Sequence, residues 1–219
     1  MPDSFEAVRA AVLAAARDML ESGLTTGTSG NVSARLGDGH VVITPSSVPY
    51  QQLTPGDLVV VDLDGGQVDG RRPPSSEMLL HLACYREFGE VGAVLHSHPK
   101  YATMYASARR PVPPVIDEAV MFVGGEVPVA EYAMSGSAEV GSNAVRVLRD
   151  VGSALLANHG LVTVAATPAA ALHQAGVVEH CARVAWGVQA LGGYVPLPAG
   201  ALERLGDVYR RSRAHPPTP

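Results

Sequence analysis

The sequence predicts one α/β domain of α+β type, with helical layers on both faces of a central, mostly antiparallel β-sheet. Three observations support this fold class. Helical segments and short apolar strands are interspersed without the regular βαβ order of a parallel sheet. The 219 residues contain no repeat and no dividing linker, so the domain is expected to span 1–219. Hydrophobic residues make up 47% and charged residues 17%, which is enough apolar surface for a sizeable core.

Helices are predicted where apolar residues recur at helical spacing or where boundary residues stand. The segment 5–20 has apolar residues every three or four positions. A second helix, from about Glu77 to Phe88, follows Pro-Ser-Ser and is closed by Gly89. Further helices are predicted at 100–108, 138–149, 168–191 and 199–212, followed by a polar tail at about 213–219.

Short apolar runs bounded by turn residues predict the strands. They fall at 41–43, 58–61, 91–96, 127–133, 154–157 and 161–165. The last two runs flank Asn158-His159-Gly160 and are expected to pair with each other.

Composition excludes several classes of function. The net charge of −5 and the absence of a basic stretch argue against a nucleic-acid partner. No apolar run reaches the ~18 residues of a membrane span, and no signal peptide is recognisable, so we expect a cytoplasmic protein. Cys84 and Cys181 lie in apolar helical patterns and are expected to be reduced and buried. Lys100 is the only lysine, which leaves one candidate for Schiff-base chemistry.

The strongest local signal for chemistry is His96-Ser97-His98. Residues two apart on a strand point to the same face, so both imidazoles can ligate one metal ion. His159 follows another apolar strand, where it can enter the same cleft. Three histidines with an open coordination position are typical of a catalytic zinc site.

Glu77 stands at the start of a helix, directly after Ser75-Ser76. A carboxylate there interacts favourably with the helix dipole. It can be a helix cap, a fourth metal ligand or a general base. His81 lies one turn later on the same face, and we expect it to pack or to support the site rather than to bind metal.

Three segments of small polar residues can hold an oxyanion, although each is also typical of a turn or a cap. They are Gly27 to Asn31, Thr44 to Ser47, and Ser75-Ser76. Together with a metal site they indicate a small phosphorylated substrate.

Five short motifs in this order resemble the zinc-dependent class II aldolase/adducin family. They are Gly30-Asn31-Val32-Ser33, Ile43-Thr44-Pro45-Ser46, Pro74-Ser75-Ser76-Glu77, His96-Ser97-His98-Pro99 and Asn158-His159-Gly160. The resemblance implies the class II aldolase/adducin-like fold and a homotetramer with active sites at subunit interfaces.

The same resemblance assigns roles to residues. It implies one Zn²⁺ per subunit on His96, His98 and His159, although such a site also accepts Mn²⁺, Co²⁺ or Fe²⁺. Glu77 would be the acid/base and a possible fourth ligand. The substrate phosphate would bind at Gly27, Thr28, Asn31, Ser46, Ser47, Ser75 and Ser76.

The implied reaction is reversible cleavage of a ketose 1-phosphate, similar to fuculose 1-phosphate or 5-deoxyribulose 1-phosphate. The products would be dihydroxyacetone phosphate and an aldehyde, formed through a zinc-stabilised enediolate. Alternatives on the same site are a pentulose-5-phosphate 4-epimerase and a decarboxylase of a sugar-acid phosphate. A metal-dependent hydrolase and a non-catalytic adducin-like binding module are more distant alternatives.

The sequence departs from the family pattern at two points. Ser47 stands where the phosphate loop commonly has glycine. Asp117-Glu118 stands in the segment where the resemblance implies a tyrosine whose hydroxyl donates a hydrogen bond to the aldehyde oxygen. Glu118 is our candidate for that donor, with Tyr132 and Tyr209 as alternatives, and a structural ion pair is the competing interpretation of the carboxylates.

Overall fold

The computed structural model describes residues 3–214, without the side chains of Asp3, Ser4 and Asp38. Its centre is an eight-stranded sheet with the order β4-β3-β2-β1-β5-β8-β7-β6, antiparallel except for the β6–β7 pair. The strands are β1 Asn31–Arg35, β2 His40–Ile43, β3 Val59–Asp62, β4 Gln67–Asp69, β5 Ala93–Ser97, β6 Val129–Ala130, β7 Ser153–Leu156 and β8 Gly160–Ala165.

Helices cover both faces of the sheet, and the predicted fold class is confirmed. One face packs against the first, third and fifth helices, and the other packs against the second and fourth. The helices are α1 Asp3–Glu21, α2 Met78–Glu87, α3 Lys100–Ala108, α4 Ala138–Val147, α5 Pro168–Val188 and α6 Ala199–Ala214. The predicted tail begins inside α6, and its residues 215–219 lie outside the described part of the chain.

Alternation along the strands divides the core in two. On β5, Leu95 faces α1 and α5, while Val94 and His96 face the α2 and α4 side. The strand has no accessible surface at Ala93, Leu95 or His96, since it lies in the middle of the sheet. Each fully buried leucine contributes about 1.5–3 kcal/mol to folding. The centre of the sheet is therefore a rigid base for the residues at the end of β5.

Several element predictions need correction. The strand expected at 127–133 belongs to the sheet only at Val129–Ala130, because Val127 pairs instead with Val112 in an isolated antiparallel bridge, Pro128 has no N–H group, and the chain leaves the sheet after Ala130. The helix expected at 138–149 ends at Val147. The helix expected at 168–191 changes to a 3₁₀ turn at Gln189–Leu191.

The elements that were not expected from the sequence include two strands and a π-helical turn. Strand β1 buries the polar side chains of Asn31 and Ser33, and β4 is exposed throughout, so neither shows an apolar pattern. A π-helical turn at Ala119–Val123 interrupts the chain between α3 and β6.

The two cysteines are free and buried, as predicted. Burial raises the pKa of Cys84 and of Cys181 to about 12, which leaves both thiols protonated at neutral pH. Within residues 3–214, no helix combines the length and apolar character needed to cross a bilayer.

Candidate active site

One carboxylate and three imidazoles meet at the end of β5. The ligand atoms of Glu77, His96, His98 and His159 all lie within 4.8 Å of one another. The Nε2 atoms of His96 and His98 are 2.9 Å apart. The two oxygens of Glu77 lie 3.0 Å from His96 Nε2 and 3.2 Å from His159 Nε2.

The secondary structure explains why these residues converge. His96 lies in β5 and His98 two residues further, on the same face of the extended chain. His159 belongs to the turn between β7 and β8, and β8 pairs with β5. Glu77 occupies the N-cap position of α2, which packs on that face of the sheet.

The hydrogen bonds of His96 define the chemistry of the cluster. Its Nδ1–H donates to the carbonyl oxygen of Leu161 at 2.9 Å, so a neutral His96 presents a lone pair at Nε2. That lone pair faces a Glu77 oxygen and the Nε2 of His98. Acceptors at this distance need either a proton or a metal ion between them. The donor set therefore fits a divalent cation with imidazole and carboxylate ligands.

Burial keeps His98 in the form that can bind a metal. Burial, together with the charges that His96 and His159 carry when protonated, lowers the pKa of His98 to about 4 despite the opposing effect of Glu77. Burial also raises the pKa of Glu77, but the hydrogen bonds and charges that His159 and His96 supply in their protonated forms outweigh it, so this pKa lies well below its usual range in the metal-free cluster. At neutral pH the site offers a neutral His98 and an ionised carboxylate.

Backbone contacts fix the segment that carries His98. The backbone N–H of His98 donates to Leu24 O at 3.0 Å. Just beyond it, the Glu179 carboxylate on α5 accepts the N–H groups of Tyr101 and Ala102 at 3.0 and 2.9 Å and so caps the start of α3. The metal-site candidate is thus supported from the opposite helical layer.

Two further side chains hold Glu77. Asn31 Nδ2 donates to Oε2 at 3.1 Å, and Ser135 Oγ donates to Oε1 at 2.9 Å. The sequence did not point to Ser135, which lies in an exposed segment between β6 and α4. His81 is fully buried and bonds to Asn31 rather than joining the cluster, in agreement with a supporting role.

Two of the three predicted oxyanion segments lie side by side. Ser75 N donates to Thr44 O at 3.1 Å, and Ser46 N donates to Pro73 O at 3.2 Å. The Thr44 hydroxyl also accepts the N–H of Val32, beside Asn31. Ser46 and Ser76 are accessible at this edge, whereas Ser75 is buried and its hydroxyl accepts the N–H of Glu77.

Apart from Asn31, which is buried, the remaining phosphate candidates are more exposed. Gly27 and Thr28 lie on an open loop, whose end is held by the Tyr50 hydroxyl through bonds to the carbonyl oxygens of Ser29 and Gly30. Ser47 adopts a left-handed conformation with φ 58°. That conformation favours glycine, which gives a physical reason for glycine at this position in the family.

The candidates for the second acid are spread over the molecule. Glu118 lines a surface cavity with Asp18 and His180, on the side of α1 and α5, and is not part of the cluster within this chain. Tyr132 is exposed in the same segment as Ser135. Tyr209 is buried in α6, where its hydroxyl lies 3.5 Å from Arg213 Nη1.

Comparison with known proteins identifies the family. Residues 10–186 match the family described as Class II Aldolase and Adducin N-terminal domain. The chain is 35% identical over 210 residues to a 5-methylthioribulose-1-phosphate/5-deoxyribulose-1-phosphate aldolase of Rhodospirillum rubrum, covering 96% of this chain and 94% of that protein. It is also 35% identical over 198 residues to a 5-deoxy-D-ribulose 1-phosphate aldolase of Bacillus thuringiensis, covering 90% and 92%.

A solved structure named L-fuculose 1-phosphate aldolase superposes with a TM-score of 0.88. Its identity is 32%, and the match covers 93% of this chain and 96% of that one. The chain belongs to the class II aldolase and adducin family. Within that family it is a class II aldolase, a lyase, as the similarity to named aldolases over most of its length indicates.

Proposed function

We propose that this protein is a metal-dependent aldolase that reversibly cleaves a ketose 1-phosphate into dihydroxyacetone phosphate and an aldehyde. The observation that carries the proposal is the convergence of Glu77 with His96, His98 and His159, beside segments that can bind a phosphate. The similar proteins named as ketose 1-phosphate aldolases support the same reaction.

The proposed metal ligands are His96, His98 and His159, with Glu77 as a possible fourth. We propose Zn²⁺ as the metal, because three imidazoles with room for a further ligand suit a catalytic zinc ion. Bound there, the ion would supply Lewis-acid stabilisation of the negative charge that develops on the substrate.

Glu77 is the proposed proton carrier. In the cleavage direction the C4 hydroxyl loses a proton, the C3–C4 bond breaks, and C3 gains a proton, so no net proton is released. An ionised Glu77 can take the C3 proton of dihydroxyacetone phosphate in the reverse direction and return it during cleavage. Asn31 and Ser135 donate hydrogen bonds to its two oxygens and so hold the carboxylate in one orientation.

The phosphate is proposed to bind at the edge formed by the Thr44–Ser47 and Ser75-Ser76 segments, with Gly27, Thr28 and Asn31 at its border. Hydroxyl and backbone N–H groups there can hold an anion without a buried cation. Fixing the phosphate orients C3 and C4 over Glu77, so binding energy remote from the reacting bond contributes to catalysis.

The acid/base for the aldehyde oxygen is proposed to be Glu118 of a neighbouring subunit in a homotetramer. Large apolar side chains that are exposed in the single chain support such an assembly. They include Leu191 and Val195, and also Met104, Trp186 and Tyr194, which line one surface pocket. We further propose that residues 1–219 form one domain and that the enzyme acts in the cytoplasm on sugar phosphates.

The proposal is tested with metal-loaded protein and a panel of ketose 1-phosphates that includes 5-deoxyribulose 1-phosphate and fuculose 1-phosphate. We expect release of dihydroxyacetone phosphate, with the best substrate defining the aldehyde. Epimerisation of a pentulose 5-phosphate or release of carbon dioxide from a sugar-acid phosphate, without aldol cleavage, would replace this proposal by the corresponding alternative.

A further inference from the structure

A chain of hydrogen bonds runs from the interior of α2 to Glu77. The Tyr85 hydroxyl lies 2.8 Å from Ser33 Oγ, and Ser33 Oγ lies 2.6 Å from His81 Nδ1. His81 Nε2 lies 2.5 Å from Asn31 Oδ1, and Asn31 Nδ2 lies 3.1 Å from Glu77 Oε2. The five side chains bridge two elements that are distant in sequence.

The arrangement follows from two regular spacings. Asn31 and Ser33 are two apart on β1 and share one face of the sheet. Glu77, His81 and Tyr85 follow at intervals of four along α2 and share one helix face. All five residues are buried, with relative exposures from 0% to 7%. Buried polar groups of this kind are costly unless every one is paired.

The carboxylate of Glu77 fixes the donor-to-acceptor direction of this series of hydrogen bonds. An ionised carboxylate only accepts hydrogen bonds, so Asn31 must present its NH₂ group to Glu77 and its carbonyl oxygen to His81. That oxygen requires the proton of His81 on Nε2. The unprotonated Nδ1 then accepts from the Ser33 hydroxyl, and Ser33 accepts from Tyr85. Every donor points towards Glu77.

His81 is held neutral, as this direction requires. Burial, with the charge of His96, lowers the pKa of His81 to about 3 against the opposing effect of Glu77. Burial raises the pKa of Tyr85 above its usual range, so its hydroxyl stays protonated and can donate.

We propose that His81 is a positioning residue for Glu77, acting through Asn31. Its Nε2–H holds the Asn31 amide in the one orientation that donates to the carboxylate. Without it, the Asn31 amide is free to turn, and its carbonyl oxygen would then face the Glu77 carboxylate and repel it. This inference rests on the proposed function of Glu77 in proton transfer, but the tautomer that it requires does not depend on any reaction.

The first test is the tautomer itself. NMR of protein that carries nitrogen-15 in its histidine rings distinguishes a protonated Nε2 from a protonated Nδ1. We expect the His81 signals to report hydrogen on Nε2 at pH 7, assigned by their loss in His81→Gln. Protonation of Nδ1 would overturn the inference whether or not the protein is an aldolase.

The second test separates positioning from folding. His81→Leu removes the donor, while His81→Gln can keep an N–H near the position of Nε2. Second-sphere changes of this kind typically cost 10–100-fold in activity. We expect kcat to fall about 10–100-fold in His81→Leu, with metal content and KM within about threefold of wild type, and to recover in part in His81→Gln.

Thr163→Val is the matched control. Thr163 is also buried, but its hydroxyl bonds to Leu95 O and Ala171 O, away from Glu77. Its kcat should stay near wild type. If His81→Leu folds and keeps wild-type kcat, or if it loses metal and kcat together, His81 does not position Glu77. The proposed function fails if wild-type protein releases no dihydroxyacetone phosphate and does not catalyse exchange of the C3 proton of dihydroxyacetone phosphate with solvent. The tautomer measurement still stands in that case.

Discussion

Gly160 lies in van der Waals contact range of His98, and no larger residue fits between them. A Cβ atom on Gly160 would stand 2.6 Å from His98 Cδ2 and 2.5 Å from Ser97 O. Both distances are shorter than non-bonded heavy atoms tolerate. The first residue of β8 is therefore glycine because the strand passes directly beside an imidazole of the candidate metal site.

Gly160→Ala should displace His98 and weaken metal binding at least about tenfold, which chelator titration of the loaded protein would measure. Gly176→Ala is the control, since a Cβ there meets no atom within 4 Å and alanine favours the α5 helix by roughly 0.5–1 kcal/mol. Unchanged metal affinity in Gly160→Ala would mean that His98 is not held by this contact.

Ser47→Gly should raise the free energy of unfolding by about 0.5–1 kcal/mol, since relief of the left-handed strain at φ 58° outweighs the added freedom of the unfolded chain. KM for the sugar phosphate should rise severalfold if the Ser47 hydroxyl contacts the phosphate. The matched variant is Ser46→Gly, which has no such strain to relieve and should lose stability in urea unfolding. Equal losses in both variants would refute the strain argument.

The neutral His81 predicts a pH dependence of stability. Its pKa is about 3 in the folded protein, below the ordinary value of 6.5, so only the unfolded chain takes up this proton between those values. The contribution of His81 to the free energy of unfolding is therefore complete above pH 6.5 and is lost as the pH falls towards 3. At pH 5 the loss is about 2 kcal/mol.

Urea unfolding of metal-free protein at pH 7 and pH 5 measures this loss, and His81→Gln, which has no such group, should lose about 2 kcal/mol less over the same interval. The same pH dependence in both proteins would show that His81 titrates normally in the fold.

Glu118 provides a test of the shared active site. Glu118→Gln should slow C–C cleavage more than exchange of the C3 proton of dihydroxyacetone phosphate, because only the former needs an acid/base at the aldehyde oxygen. Glu77→Gln should keep its metal and lose both activities.

Co-expression of Glu77→Gln and Glu118→Gln should restore up to about a quarter of the wild-type sites, if each site takes its two carboxylates from different subunits. No recovery in mixed assemblies would place both carboxylates in one subunit or remove Glu118 from the reaction.

The sequence predicted those parts of the site that have local spacing. His96 and His98 share a face because they are two residues apart on a strand, and Glu77 stands at a helix start marked by two serines. By contrast, β1 was missed because Asn31 and Ser33 place polar atoms on its buried face, where a strand pattern needs apolar residues.

Contacts between segments that are distant in the sequence could not be predicted, because no local spacing encodes them. Ser135 is 58 residues from Glu77, and its exposed segment carries no pattern that points to a carboxylate. The partnership of His81 with Asn31 needs the packing of α2 on β1, which the sequence spacing of neither element reveals. The order of the motifs in the sequence supported the family resemblance, whereas the hydrogen bonds between the motifs come only from the fold.

The most direct test of the central claim is metal removal and return. Protein loaded with one Zn²⁺ per chain is assayed for dihydroxyacetone phosphate release from 5-deoxyribulose 1-phosphate, then stripped with a chelator, then reloaded. We expect activity to disappear with the metal and to return with it, and His96→Ala to bind no metal and to stay inactive after reloading. Full activity in the stripped protein, or in a His96→Ala variant without metal, would contradict the assignment of the Glu77 and histidine cluster as the metal centre of an aldolase.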